Sequence, residues 1–292
     1  LTEDVVSAEL LTSLDHGAYT NIVRCLACAL VFQAPADPLP EIEECYRNVE
    51  DPVYLREEQG RVRTFDRLLD EIAQMRSPGG RLLDIGCYTG VFLARAQRRG
   101  WEVSGLEPSQ WAAGVARSRG LRVVNALLAE NDLPPESFDV ITVLDVIEHF
   151  GDPRAEVQRV ERLLKPGGLL ALSTMDVESG FARLMGPRWP WFMRMHLYYF
   201  SPHTLCALLA RFRLEVVGVR RHRRIVSARY LLEKAAAQFP GAGALLRLAA
   251  RLPLLGRLHV PVNLGDIINV YAVKQRTVAP HPAPVTGASR QA

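Results

Sequence analysis

From Arg81 onward, short runs of consecutive apolar residues alternate with stretches in which apolar positions recur every three or four residues. Runs of the first kind read as strands buried on both faces, and the three-to-four period reads as helices with one buried stripe. The pattern predicts strands at Arg81–Ile85, Glu102–Leu106, Leu121–Val124, Asp139–Val143, Leu169–Ser173, Leu214–Val219 and Ile267–Val273. Helices are predicted between them over Gly90–Arg99, Gln110–Arg119, Pro153–Leu164 and Pro202–Ala210, with glycine or proline near most ends. Such alternation builds an α/β domain with a doubly wound, seven-stranded, mostly parallel sheet. Lys165-Pro166-Gly167-Gly168 reads as the turn that aims the fifth strand back into it. An earlier helix, Arg61 to Gln74, spaces Phe65, Leu68, Leu69 and Ile72 along one face and is expected to cover the entrance to the bound ligand.

The same pattern divides the chain into residues 1–60, an amino-terminal extension; 61–219, the core; 220–266, a helical insertion; 267–275, the last core strand; and 276–292, a tail rich in proline, alanine and serine that is expected to be disordered. With 292 residues, 48% hydrophobic and 23% charged, composition fits one sizeable core and excludes fibrous and disordered classes. Five cysteines, scattered apart from Cys25 and Cys28, suit a reducing compartment, so the cytoplasm is the expected location. No apolar run reaches eighteen residues and no secretion pattern opens the chain. The chain begins at Leu1 rather than at methionine, so upstream residues are expected.

Candidate chemistry starts at "LLDIGCYTGVFL", Leu82 to Leu93, where a strand meets a helix through glycines. Glycines there let the backbone approach a ligand, and the free amides of the first helical turn face it. Asp84 precedes Gly86 and Gly90, and an acid in that place repels phosphate but attracts an ammonium or hydroxyl group. Glu107 in "VSGLEPS" follows Asp84 by twenty-three residues, about the distance at which an acid accepts bonds from both ribose hydroxyls. A nicotinamide dehydrogenase of the same fold would need G-x-G-x-x-G, which the chain lacks; a binding module without catalysis is the other alternative.

Taken in order, "LLDIGCYTGVFL", "VSGLEPS", "FDVITVLDVIEHFGDP", "LLKPGGLLALST" and "HLYYFSPHTL" resemble class I S-adenosylmethionine-dependent methyltransferases with a Rossmann-like fold, nearest in flavour to the ubiquinone-biosynthesis O-methyltransferase group. The resemblance covers Arg61 to Val219 and the last strand. It implies that S-adenosylmethionine is bound by Asp84, Gly86, Cys87, Tyr88, Gly90, Glu107, Leu127, Leu128, Leu144 and Asp145, with Asp84 and Gly86 at the methionine end, Glu107 on the ribose and Leu127–Leu128 beside the adenine. Two positions depart from the family pattern. Tyr88 replaces the middle glycine of D-x-G-x-G-x-G and brings a phenol to the loop, and Leu127 stands where many relatives carry an acid for the adenine amine.

Methyl transfer from a sulfonium needs an acceptor held in line, water excluded, and a base when the acceptor is a hydroxyl or carbon acid. Candidates for the catalytic base are His149, His196 and Tyr198, with Tyr199 beside them. Asp145, Glu148 and His149 have the spacing of the E-x-x-E-H triplet of the ubiquinone-type enzymes, which implies a divalent metal near the acceptor. Trp189, Trp191, Phe192, Tyr198, Tyr199 and Phe200, interleaved with Arg188, Arg194 and His196, are expected to wall a small-molecule acceptor: a phenol or quinol, a sugar, or a lipid-linked hydroxyl.

Cys25-x-x-Cys28 resembles one knuckle of the small zinc ribbon that precedes some sugar methyltransferases. The stretch where the other knuckle would fall has no cysteine and only His16 nearby, so no stable zinc is expected. Residues 220–266 carry nine basic side chains against two acids, a net +7 within a total of +3, which leaves the rest at −4. Leu245, Leu248, Leu252 and Leu255, with Arg247 and Arg251, have the spacing of a helix lying on an anionic membrane, capping an oily acceptor, or packing on the domain or on a second subunit, and the insertion is expected to form part of the acceptor entrance. Peripheral membrane contact and a homodimer are the partner expectations; no basic strip in the sheet domain supports nucleic acid.

Overall fold

The computed structural model describes residues 21–34, 38–238 and 240–276. His16, with the rest of residues 1–20, and the tail beyond Arg276 lie outside them. In chain order the strands are Ile22–Arg24 (β1), Val31–Gln33 (β2), Arg81–Ile85 (β3), Glu102–Leu106 (β4), Val123–Val124 (β5), Phe138–Leu144 (β6), Leu164–Met175 (β7), Tyr198–Tyr199 (β8), Leu214–Arg221 (β9), Arg224–Ser227 (β10), His259–Val262 (β11) and Ile267–Lys274 (β12).

Seven of them form one sheet in the order β5-β4-β3-β6-β7-β12-β9. β12 runs antiparallel to both of its neighbours, and the other pairs described are parallel. Winding proceeds outward from β3 through β4 to β5 and then resumes on the other side at β6. The reversal opens a crevice at the carboxyl ends of β3 and β6, where open α/β sheets bind ligands. Strand pleating sends neighbours to opposite faces. Leu83, Ile141 and Leu170 pack with Val157, Val160, Leu205 and Leu209 on one side. Leu82, Val140 and Leu169 pack with Leu68, Ile72, Phe92, Leu93 and Ala116 on the other. Each such buried aliphatic side chain contributes roughly 1.5–3 kcal/mol.

Helix starts follow capping chemistry. The Asp152 carboxylate accepts from the N–H groups of Arg154 and Ala155 to begin Pro153–Leu163, and Ser109 Oγ accepts from Ala112 N to begin Gln110–Ser118. The Lys165–Gly168 turn is absorbed into β7, which starts at Leu164 and meets β6 with a register shift between Phe138 and Val140.

The amino-terminal residues are tied to the body. β1 and β2 form a hairpin that β8 extends, and Gln33 Nε2 donates to the carbonyls of Met193 at 2.7 Å and His196 at 2.8 Å. The stretch after β9 contains more than helices: β10 pairs with β11 and frames helices Ala228–Gln238, Pro240–Ala250 and Pro253–Arg257. β10 lies against helix Glu58–Met75, with Ile225 N donating to Thr64 Oγ1 at 2.9 Å. A β-carbon on Gly60 would stand 2.4 Å from the Ile225 carbonyl oxygen, so only glycine allows this contact. Among the described residues, no helix is long and apolar enough to cross a membrane.

Candidate active site

A cleft of about 390 Å³ opens at the crevice between β3 and β6. Its floor is the loop after β3. Gly86 holds φ +71°, and a β-carbon there would meet Val146 Cγ2 at 2.5 Å, so both the turn and the close approach require glycine. Gly90, at φ +74°, opens helix Val91–Arg98. Tyr88 adopts a left-handed φ of +48° and its N–H donates to Glu107 Oε2 at 2.7 Å. Glu107 Oε1 accepts from Ser109 N at 2.8 Å. One buried carboxylate therefore ties the two strand ends together, and each of its oxygens keeps a lone pair free for a ligand hydroxyl.

Asp84 is 3% exposed and accepts from Thr142 Oγ1 at 2.6 Å. Burial pushes its carboxyl up to about 7, and burial likewise pushes Glu107 up to about 7. Both acids are costly to ionise without a ligand, and an ammonium beside Asp84 or hydroxyl donors on Glu107 favour the charged form. Cys87, Leu127, Leu128 and Leu144 also line the cleft. Leu127 N is held by Glu130 Oε2 at 2.9 Å. The Tyr88 phenol oxygen is buried without a partner, its ring edge-on to Tyr54 with centroids 4.4 Å apart.

His149 also lines the cleft. Its Nδ1 lies 2.8 Å from the Met195 carbonyl oxygen and 2.6 Å from the Tyr46 hydroxyl, which itself donates to Met195 O. A nitrogen that close to a carbonyl oxygen carries the proton, so Nε2 holds the lone pair. Burial lowers the pKa of His149 despite the opposing effects of Met195 O and Asp145, and the ring is neutral at pH 7.

His196 lies behind His149, ring centroids 4.8 Å apart, outside the cleft wall. Its Nδ1 bonds to Trp191 O at 2.8 Å, and burial lowers its pKa further. It backs the site rather than facing an acceptor. Tyr198 is the clearer correction: its hydroxyl donates to Gly151 O at 3.1 Å and its ring packs against the core, so it has no access to the cleft.

The triplet Asp145, Glu148, His149 does not converge. Burial would raise Asp145, but Arg224 and His222 outweigh it and hold the carboxyl below its ordinary value; its oxygens go to Arg224 and Ser173. His196 takes its place: Glu148, His149 and His196 each offer one ligand atom within 4.8 Å of one another. Glu148 Oε2 accepts from Thr174, Oε1 is buried without a partner, and burial pushes the carboxyl up to about 8. Two imidazoles anchored through Nδ1 to carbonyls, with an orphaned carboxylate oxygen, suit a divalent cation.

The expected aromatic wall is also corrected. Trp189, Tyr199 and Phe200 are fully buried, and the indoles of Trp189 and Trp191 donate to Asp266 at 3.1 and 2.9 Å. Consecutive aromatics in an irregular stretch fill a satellite core instead. The rings that do line the cleft are Tyr46, Tyr54, Phe65, Tyr88, Phe92, Phe150 and Tyr230. Tyr46 and Tyr54 come from the amino-terminal part, Tyr230 and the cleft residues His222 and Arg224 from the chain after β9. The sequence signal for the last group is the basic run around Arg220–Arg224, which opens the insertion expected at the acceptor entrance. In the Cys25–Cys28 turn the amides of Cys28 and Ala27 lower the Cys25 thiol.

A family described as a methyltransferase domain matches residues 54–219. The ubiquinone biosynthesis O-methyltransferase of Alkalilimnicola ehrlichii is 37% identical over 119 residues, covering 37% of this chain and 47% of that protein. Its counterpart in Xanthomonas oryzae pv. oryzae is 36% identical over 111 residues, 36% of this chain and 46% of that protein. The chain thus spans about half the length of the curated relatives it matches. In fold it is similar to YcgJ of Bacillus subtilis, with a TM-score of 0.50 and 18% identity over 73% of this chain and 99% of that one. The [4+2]-cyclase SpnF also scores 0.50, at 23% identity over 72% of this chain and 82% of that one. With the family match spanning more than half of its length, this chain belongs to the methyltransferase domain family.

Proposed function

We propose that the chain methylates a hydroxyl on a small aromatic acceptor, a phenol or quinol. S-adenosylmethionine supplies an activated sulfonium methyl. This chain's residues hold the ribose at Glu107 and the ammonium at Asp84, and Arg61, stacked 3.4 Å over the Tyr54 ring with its Nε buried and unpartnered, offers a cation to the carboxylate. Tyr46, Tyr54 and Tyr230 offer ring faces to a flat acceptor and exclude water. His149 accepts the hydroxyl proton at Nε2.

The observation that carries this reading is the neutral, Nδ1-anchored His149 in the cleft wall. Partial identity to ubiquinone O-methyltransferases supports the aromatic acceptor. A second reading rests on the partnerless Oε1 of Glu148. A divalent cation held by Glu148, His149 and His196 would acidify a hydroxyl bound to it. Mass spectrometry of a panel of catechol-type phenols, sugars and amines incubated with cofactor tests the proposal. It expects a methyl on a phenolic oxygen, made without added metal. Methylation confined to amines or sugars refutes the acceptor, and activity lost to a chelator and restored by one divalent ion favours the second reading.

A further inference from the structure

Helix Pro240–Ala250 is built inside out. Its inward side is small: Gly243 and Ala250 are buried, and a β-carbon on Gly243 would stand 2.8 Å from the Ala236 carbonyl of the preceding helix. Two of its three leucines face away from the protein, Leu245 at 71% and Leu248 at 61% exposed, while Leu246 is half-buried. The surface continues through Leu252, Leu254 and Leu258, all more than half exposed. A helix serving only its own core buries its large residues and exposes its small or polar ones. A contiguous apolar face of this kind marks an interaction surface.

Charge selects the occupant. Arg247, Arg251 and Arg257 stand exposed among these leucines, and residues 235–265 contain no acid at all. Leucines flanked by arginines alone match a bilayer whose headgroups are anionic: the side chains enter the acyl boundary while the guanidinium groups meet phosphates. The inward side of the same unit reaches the cleft through Ile225, Val226 and Tyr230.

We propose that the outward face of helices Pro240–Ala250 and Pro253–Arg257 docks on an anionic lipid surface, bringing the cleft entrance to the membrane. The inference does not depend on the acceptor chemistry proposed above. Co-sedimentation tests it, with vesicles of phosphatidylcholine alone or with about 30 mol% phosphatidylglycerol. At about 0.1 M salt the chain should partition at least about tenfold more strongly onto the anionic vesicles, and the preference should fall at about 0.5 M. Leu245→Ser with Leu248→Ser and Leu252→Ser should abolish pelleting, and Arg247→Gln with Arg251→Gln and Arg257→Gln should erase the preference, both with cofactor affinity unchanged, which separates lost docking from lost folding. Equal pelleting on both vesicles overturns the proposal, as does full binding by the serine variant. A solution dimer that the serine substitutions dissolve would also overturn it and assign the face to a second copy of this chain.

Discussion

Replacing Glu107 by alanine tests two linked consequences of burying one carboxylate between two strand ends. The cofactor loses a two-oxygen acceptor for its ribose. Hydrogen bonds to an ionised group are worth about 1.5–3 kcal/mol each and their losses overlap, so affinity should weaken by roughly 2–4 kcal/mol, or about 30- to 1,000-fold in Kd. Stability responds with a pH dependence of definite sign. Burial raises the carboxyl from 4.5 to about 7, so the folded pKa lies above the unfolded one. The favourable contribution is complete below about pH 4.5 and is lost as pH rises to about 7, some 2.5 units at 1.36 kcal/mol each, or about 3 kcal/mol. Alanine escapes that loss but orphans the N–H groups of Tyr88 and Ser109. The variant should therefore be most destabilised at about pH 5, and the deficit should shrink by up to about 3 kcal/mol at about pH 8. Titration calorimetry and urea melts of ligand-free protein measure the two effects. A Kd within about fivefold of the parent, or a deficit that grows with pH, refutes the reasoning.

His149→Gln should lower kcat by about 10²- to 10⁴-fold with cofactor affinity within about twofold. Because burial lowers the His149 pKa, the parent's rate should fall only below the ordinary imidazole value of 6.5; steady-state pH profiles check both points, and an inflection above it contradicts the neutral base. Tyr198→Phe should remove the bond to Gly151 O, lower stability by about 1 kcal/mol in urea melts, and leave kcat unchanged, because the phenol is outside the cleft. Gly86→Ala should cost at least about 1–2 kcal/mol from its left-handed φ of +71° and push Val146 aside, weakening cofactor binding by about tenfold or more in calorimetry.

Core strands were legible in the sequence because a sheet covered on both faces demands continuous apolar runs: β3 and β4 keep their predicted bounds, and the others differ by extensions or, at β5, by trimming to Val123–Val124. The pairing of Asp84 and Glu107 in one cleft was legible because they stand at the ends of neighbouring strands, a local relation. What escaped depends on contacts distant along the chain. Arg224 meets Asp145 from seventy-nine residues away and removes it from the expected metal set, while His196 arrives on a loop forty-seven residues after His149. β10 and β11 are short and only partly buried, so their periodicity is weak. Trp189 and Trp191 looked like a ligand wall because aromatic density alone does not distinguish a cleft from a core; the buried Asp266 that binds both indoles is what fixes them inward.

A crystal structure with S-adenosylhomocysteine bound tests the central claim most directly. Ribose hydroxyls should lie on both Glu107 oxygens, the amino group near Asp84, and the sulfur toward His149. A ligand lying elsewhere, or one whose sulfur faces away from His149, would contradict it.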